Sequence, residues 1–395
     1  HLNEPLFNYC HGAAIRGIKV IDSSLSSPIR KSQFLICEDA YDTEFTDVSI
    51  EGCRYDDKVL LKDLPYGVGF IYDFVTGNYL GLMTRTMTNC TVNKVDVIGC
   101  TIYLRGKGVG GITGYAKGTT FDNCIADASS TVFVETVSDA YAGGLVGEGE
   151  DCTFIRCVNL SAVYGSEHAD NVGGICGYST KCHFDKCYNG GVLDQTTKET
   201  WAISTAASAY GIYSSLKSLY GIGAAIDELR DAILTTEVAF NNYMNTTCIE
   251  LLADNLAMFE IARTAEMMLV LTDFFTAVGI AASVYTLTSS AIIYTNSPDE
   301  MGGITSAAYG CEFDRCINAG RPFCRDAYAG GIVGKSGSSS GKQTEIRHCI
   351  NSGFIQSSEQ SGGIVGYMED THVDGCLNVG TIDCADSSTA GPIYG

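Results

Sequence analysis

Gly362-Gly363-Ile364-Val365-Gly366-Tyr367-Met368-Glu369-Asp370-Thr371-His372-Val373-Asp374-Gly375-Cys376-Leu377-Asn378-Val379-Gly380-Thr381-Ile382 is one copy of a unit that recurs along the chain. Its opening phrase returns as Gly110-Gly111-Ile112-Thr113-Gly114, Gly143-Gly144-Leu145-Val146-Gly147, Gly173-Gly174-Ile175-Cys176-Gly177, Gly302-Gly303-Ile304 and Gly330-Gly331-Ile332-Val333-Gly334. Recurrence with a period near 30 residues marks a stacked repeat, in which each unit buries its apolar face against its neighbours.

With the first Gly as position 0, position 2 is aliphatic in all six copies (Ile112, Leu145, Ile175, Ile304, Ile332, Ile364). Position 11 holds Phe121, Phe154, Phe184 and Phe313, then Ile346 after a five-residue insertion placed within 336–341, then Val373. Position 14 is always Cys (Cys124, Cys157, Cys187, Cys316, Cys349, Cys376). Asn follows at position 16 (Asn159, Asn189, Asn318, Asn351, Asn378) and Gly at 18 (Gly191, Gly320, Gly353, Gly380). Spacing of two within a unit is strand alternation, not the 3.6 period of a helix. Run backwards, the template predicts starts at residues 80, 34 and 4, with Leu82, Ile36 and Leu6 in the aliphatic column. The starts at 34 and 4 also place Phe45 and Ile15 in the Phe column, and Val48 and Ile18 in the Cys column. An insertion of about 16 residues then falls within 54–76, and Ala390 to Gly395 opens a further copy.

These columns predict a mainly β chain: a right-handed parallel β-helix of nine nearly complete rungs and the beginning of a tenth, about 45 Å long at about 4.8 Å per rung. Handedness follows from the right-handed crossover preference between parallel strands. The Gly pairs are expected in turns with positive φ, and the Asn column at an αL corner where each amide bonds its counterpart one rung away.

The pattern stops between residues 195 and 300, dividing the chain into N-terminal rungs (1–194), an insert (195–300) and C-terminal rungs continuing the same solenoid (301–395). From Ala224 to Val278 there is neither Gly nor Pro, and Thr247-Cys248-Ile249-Glu250 resembles a capping box. Helices are therefore predicted over 201–219, 223–244, 248–277 and 280–294. The uncharged stretch 274–294 is long enough to span a bilayer, but its many Thr and Ser and the lack of flanking Lys or Arg favour a buried helix of a bundle.

A net charge of −21 argues against nucleic acid and anionic membrane surfaces as partners and suits a secreted or surface protein. The 18 Cys are read as buried free thiols: stacked neighbours about 4.8 Å apart with parallel Cβ vectors match a disulfide poorly. No metal site or cofactor is expected. His183 and His372 share a column three rungs apart, and the acidic loops (Glu148, Glu150, Asp151; Glu369, Asp370) lack the regular spacing of calcium-loaded solenoids. The chain begins at His1 and ends part-way through a rung, as a piece of a longer protein would.

One pair of residues merits weighing as catalytic. Position 12 carries Asp122, Asp185, Asp314 and Asp374, and stacking across the insert would set Asp185 and Asp314 about 5 Å apart, near the separation used by retaining glycosidases. Against this, Arg156, Lys186, Arg315 and His348 at position 13 would offset those carboxylates diagonally, and the single Trp, Trp201, lies in the insert.

The stretch 362–382 closely resembles the GLUG repeat of large bacterial surface and secreted proteins, adhesin-like chains among them, and of the non-catalytic part of some IgA-cleaving metalloproteases. The resemblance covers 80–193 and 302–395, and implies architecture more than activity. No His-Glu-x-x-His is present, so the protease chemistry does not transfer. The expectation is a non-enzymatic extracellular or cell-surface module for adhesion, partner binding or spacing, with a protein or glycan ligand and the helical insert as interaction element. The alternatives are a polysaccharide lyase or hydrolase using Asp185 and Asp314, and a membrane-inserting hairpin.

Overall fold

The computed structural model describes residues 5–25, 35–56, 79–105, 107–135, 140–165, 171–195, 300–324, 328–385 and 389–395. The predicted helices, the stretch 274–294 and Trp201 lie outside them. Among the described residues there is no helix long and apolar enough to cross a membrane.

The described chain is a β-solenoid of parallel strands. Through most of the stack a rung visits four sheets, and in the last two complete rungs the two-stranded sheet of Ile355–Ser357 and Ile382–Cys384 takes the place of the third. Sheet IV, eight strands from Tyr79–Gly81 to Ala390–Gly391, carries positions −2 to 0. Sheet I, nine strands from Phe7–His11 to Val365–Met368, carries positions 3 to 7. Sheet II, sixteen strands, holds the Phe and Asn columns; its long strands Glu44–Glu51 and Thr91–Ile98 join two lines that later rungs keep separate. Sheet III, seven strands from Ser24–Leu25 to Arg321–Pro322, closes the rung. Strands on either side of the interruption pair in register, Gly173 with Gly302, Phe184 with Phe313 and Asn189 with Asn318. Ile364 N–H donates to Ile393 O at 2.8 Å, so the last residues begin another rung.

Corners are made by left-handed residues at positions 8 and 13. Position 8 holds Asp42, Asn89, Gly118, Asp151, Lys181, Gly310 and Asp370; position 13 holds Asp47, Lys94, Asn123, Arg156, Lys186, Arg315, His348 and Gly375, all with positive φ. An αL residue turns the strand and delays the next inward side chain by one place. Inward positions therefore run 6, 9, 11, 14 and 16, stepping by three across a corner and by two along a strand.

The interior is built of ladders. Phe121, Phe154, Phe184 and Phe313 stack with centroids 5.0, 4.7 and 4.8 Å apart and planes within 6°, and each is 0–1% exposed. Beside them runs an amide ladder: Asn159 Nδ2 donates to Asn189 Oδ1, Asn189 to Asn318, Asn318 to Asn351 and Asn351 to Asn378, at 2.7–2.8 Å. Its members 159 to 351 are fully buried, where no water competes for those bonds. All seventeen cysteines of the described residues are free thiols, fifteen of them buried.

Four sequence expectations need correction. The third register start is Gly81, not residue 80: Gly81 pairs with Gly110, and Met83, not Leu82, takes the aliphatic column. The insertion in the fifth copy falls within 338–343, six residues where other copies have one, because the strand Val333–Gly337 holds register through Gly337 and register resumes at Thr344. The Asn ladder sits at extended strand ends, and the αL corner falls three residues earlier, at position 13. The Gly pairs do not have positive φ; they are glycine because there is no room for a Cβ. A Cβ on Gly143 would lie 1.9 Å from Val146 O, and one on Gly144 would lie 2.2 Å from Asn159 Oδ1.

Candidate functional site

Asp185 and Asp314 are direct partners on neighbouring strands of sheet II. Arg315 spans them, its Nη2 2.9 Å from Asp185 Oδ1 and its Nε 2.9 Å from Asp314 Oδ2. His348 Nδ1 lies 3.0 Å from Asp314 Oδ1. One end of the same face repeats the device, with Arg156 Nη2 at 2.6 and 2.8 Å from the two oxygens of Asp122. The αL corner at position 13 aims Arg156, Arg315 and His348 at the position-12 carboxylate of the preceding rung, so this part of the face carries diagonal ion pairs. His183 and His372 fall in one column with Glu312 and Glu345 between them. Among the described residues no cluster of three or more His, Cys, Asp or Glu is placed to hold a metal ion.

The feature that sequence reading missed is a furrow between sheets IV and I. At the Gly-Gly phrase the chain turns with its apex towards the core, where Ile112, Leu145 and Ile175 are fully buried. The outer sides of the two strands then face one another. Position 0 and position 4 of the next rung meet across this gap backbone to backbone: a Cβ on Gly143 would be 2.8 Å from Gly177 N, and one on Gly330 2.7 Å from Gly366 N. Position 0 is Gly in all six copies and position 4 in five of them, the sixth being Ser306, whose buried hydroxyl bonds Asn171 Oδ1 and Glu300 O. The next outward side chains, at positions −2 and 5, form the two banks.

These banks are tyrosine-rich. Tyr79, Tyr141 and Tyr328 stand at −2; Tyr115, Tyr178 and Tyr367 stand at 5; all six are partly buried. Each pairs across the furrow with the next rung: Tyr79 with Tyr115 at 5.0 Å, Tyr141 with Tyr178 at 4.9 Å, and Tyr328 with Tyr367 at 4.9 Å between centroids. Glu300 (position −2) and Lys335 (position 5) make the same one-rung step as an ion pair, 3.0 Å apart. Tyr309 extends the line, 5.7 Å from Tyr178.

Two cations sit among the rings. Lys107 Nζ is 5.5 Å from the centroids of both Tyr79 and Tyr141 and 3.7 Å from Glu148. Lys335 Nζ is 5.7 Å from Tyr328 and 6.0 Å from Tyr367. These are cation–π distances, and each ammonium also faces a carboxylate. Burial, and then the Glu148 carboxylate that its hydroxyl contacts at 2.6 Å, push the Tyr79 phenol well above its usual range. Burial and Glu150, at 2.7 Å, do the same to Tyr115, so both remain hydroxyl donors. For Lys335, burial works against the charged form, but Glu300 outweighs it and raises the ammonium pKa.

A signal for the furrow was present in the sequence: Tyr two residues before the phrase in three copies, and five after its start in three. The chain matches no protein-family model, no curated protein and no solved structure.

Proposed function

We propose that this chain is a non-enzymatic binding module of a bacterial cell-surface or secreted protein, a GLUG-like right-handed β-helix that presents a partner-binding face. The observation that carries this reading is the tyrosine furrow, a row of rings, carboxylates and ammonium groups built on the strands of two sheets. The described strands that flank the interruption are Val192–Gln195 of sheet III and Glu300–Gly302 of sheet IV, and Glu300 stands on one bank of the furrow. The insert 195–300 is read as a second interaction element, since repeat insertions gather on binding faces. Burial of fifteen of the seventeen described thiols makes an exterior location compatible with a cysteine-rich chain.

The competing reading, a glycosidase or lyase, would use Asp185 and Asp314. Both carboxylates accept from Arg315, an arrangement that serves charge balance between rungs. The experiment incubates the full chain with a panel of neutral and acidic polysaccharides and with intact cells. Retention without release of new reducing ends or unsaturated products is expected, and Asp185→Asn or Asp314→Asn should leave retention unchanged. Product formation that disappears in either variant would overturn the binding-module reading.

A further inference from the structure

We propose that the furrow between sheets IV and I binds a neutral glycan lying along the solenoid axis, an inference that rests on the binding-module reading and adds the class of ligand. Three observations converge. The first is periodicity. Tyr–Tyr pairs recur with one geometry at both ends of the furrow, Tyr79–Tyr115 and Tyr141–Tyr178 in one part and Tyr328–Tyr367 in the other. Rungs advance by about 4.8 Å, and between the Tyr pairs the same slots hold Gly108 with Glu148, Asn171 with Ala307, and the Glu300–Lys335 ion pair. Aromatic faces are thus interspersed with open and polar slots along the axis, as rings and hydroxyls are along a glycan. A pyranose ring presents axial C–H groups to an aromatic face and hydroxyls at its rim, which suits half-buried Tyr flanked by carboxylates and ammonium groups.

The second observation is charge. In a chain of net −21, the furrow is locally balanced, Glu148 against Lys107 and Glu300 against Lys335. The surrounding field repels polyanions such as uronates, sulfated glycans and nucleic acid. A basic peptide would find the furrow carboxylates already countered. A neutral chain meets neither obstacle, and the fixed polar groups remain as hydrogen-bond partners for its hydroxyls.

The third is topology. The connections 57–78 and 196–299, by far the longest in the chain, both run from sheet III to sheet IV and rejoin at position −2, at Tyr79 and Glu300. Solenoids place such variable connections beside the surface they use.

The test is affinity electrophoresis of the full chain in gels containing neutral glucans, mannans or galactans, with polygalacturonate and chondroitin sulfate as anionic counterparts. Titration calorimetry with oligosaccharides of the retarding polymer then measures affinity. At least one neutral polymer should retard the chain and neither anionic one should. The double variant Tyr141→Ala/Tyr178→Ala should bind about tenfold more weakly, whereas Tyr141→Phe/Tyr178→Phe should stay within about threefold. Tyr367→Ala, at the separate C-terminal pair, gives an independent reading should the double variant melt early. Absence of retardation by every neutral polymer overturns the inference, as does preference for the anionic ones or undiminished binding by the folded Ala variants. Cell retention that survives the Tyr variants would sink the glycan furrow and leave the binding module standing; product formation lost in Asp185→Asn would sink the module itself.

Discussion

Glycine serves this chain in two physically different ways, and single substitutions separate them. Gly143 has no positive φ, but a Cβ there would lie 1.9 Å from Val146 O and 2.8 Å from Gly177 N. Both obstacles are backbone and cannot rotate away. Gly143→Ala should therefore cost about 3 kcal/mol or more in a urea unfolding curve, at the top of the range for overpacking. Gly341, in the 338–343 insertion, has φ +79 and nothing within 4 Å of its virtual Cβ. Gly341→Ala meets only the torsional penalty of the left-handed region, about 1–2 kcal/mol. Equal losses in the two variants would show that the furrow backbone can part to admit a methyl group. The same residue scale explains why long side chains tolerate αL at Arg156 and Arg315. Each recovers its torsional cost through charge-assisted hydrogen bonds to Asp122 or Asp185.

At the scale of the element, the columns act as ladders, and the buried thiols have a consequence for pH. Burial raises the thiol pKa of Cys37, Cys90 and Cys176 above the ordinary value. In the unfolded chain these thiols ionise near pH 8.5, while in the folded chain they keep their protons. Their contribution to stability is thus full below about pH 8.5 and declines as pH rises towards the folded-state values, by about 1.4 kcal/mol per pH unit for each such thiol. Chemical unfolding between pH 8 and 9.5 should show this decline, and a flat profile would contradict it. Maleimide labelling of the native chain should reach Cys376 and Cys384 first among the described cysteines, since the other fifteen are buried. The phenyl stack and the amide ladder were both legible as columns, because a position buried in every rung must repeat its residue type. The furrow was not. A Tyr at position −2 meets its partner at position 5 of the next rung only because position 0 and position 4 let two strands collapse onto each other.

For the solenoid as a whole, neighbours are enough. The rungs starting at Gly173 and Gly302 are joined by Phe184 on Phe313 and by Asn189 Nδ2 donating to Asn318 Oδ1 at 2.8 Å, the same contacts that join rungs adjacent in sequence. In such a one-dimensional stack, stability is a sum of rung and interface contributions. Replacing 196–299 by a short linker, copied from the five residues 166–170 that make the equivalent connection one rung earlier, should leave a cooperatively folding solenoid with its far-UV signature intact. Loss of folding in that variant would show that the rungs on either side do not stack unaided.

The sequence by itself determined which residues stack on which. Periodic burial imposes a repeated residue type, so Phe, Cys and Asn announced their columns, and the parallel solenoid followed from their spacing. It left the role of the glycines ambiguous, because a missing Cβ serves a positive φ and a close approach equally well. Nor did it tell how two columns separated by seven positions along a rung relate in space. Only the tertiary structure decided that the strands on either side of the Gly-Gly phrase fold together, leaving their outer side chains to face one another as a tyrosine furrow. The physical reason is that stacking along the axis is a local, repeated interaction written into every rung. The shape of a rung's cross-section depends instead on where backbones touch, and that contact carries no side chain to be read.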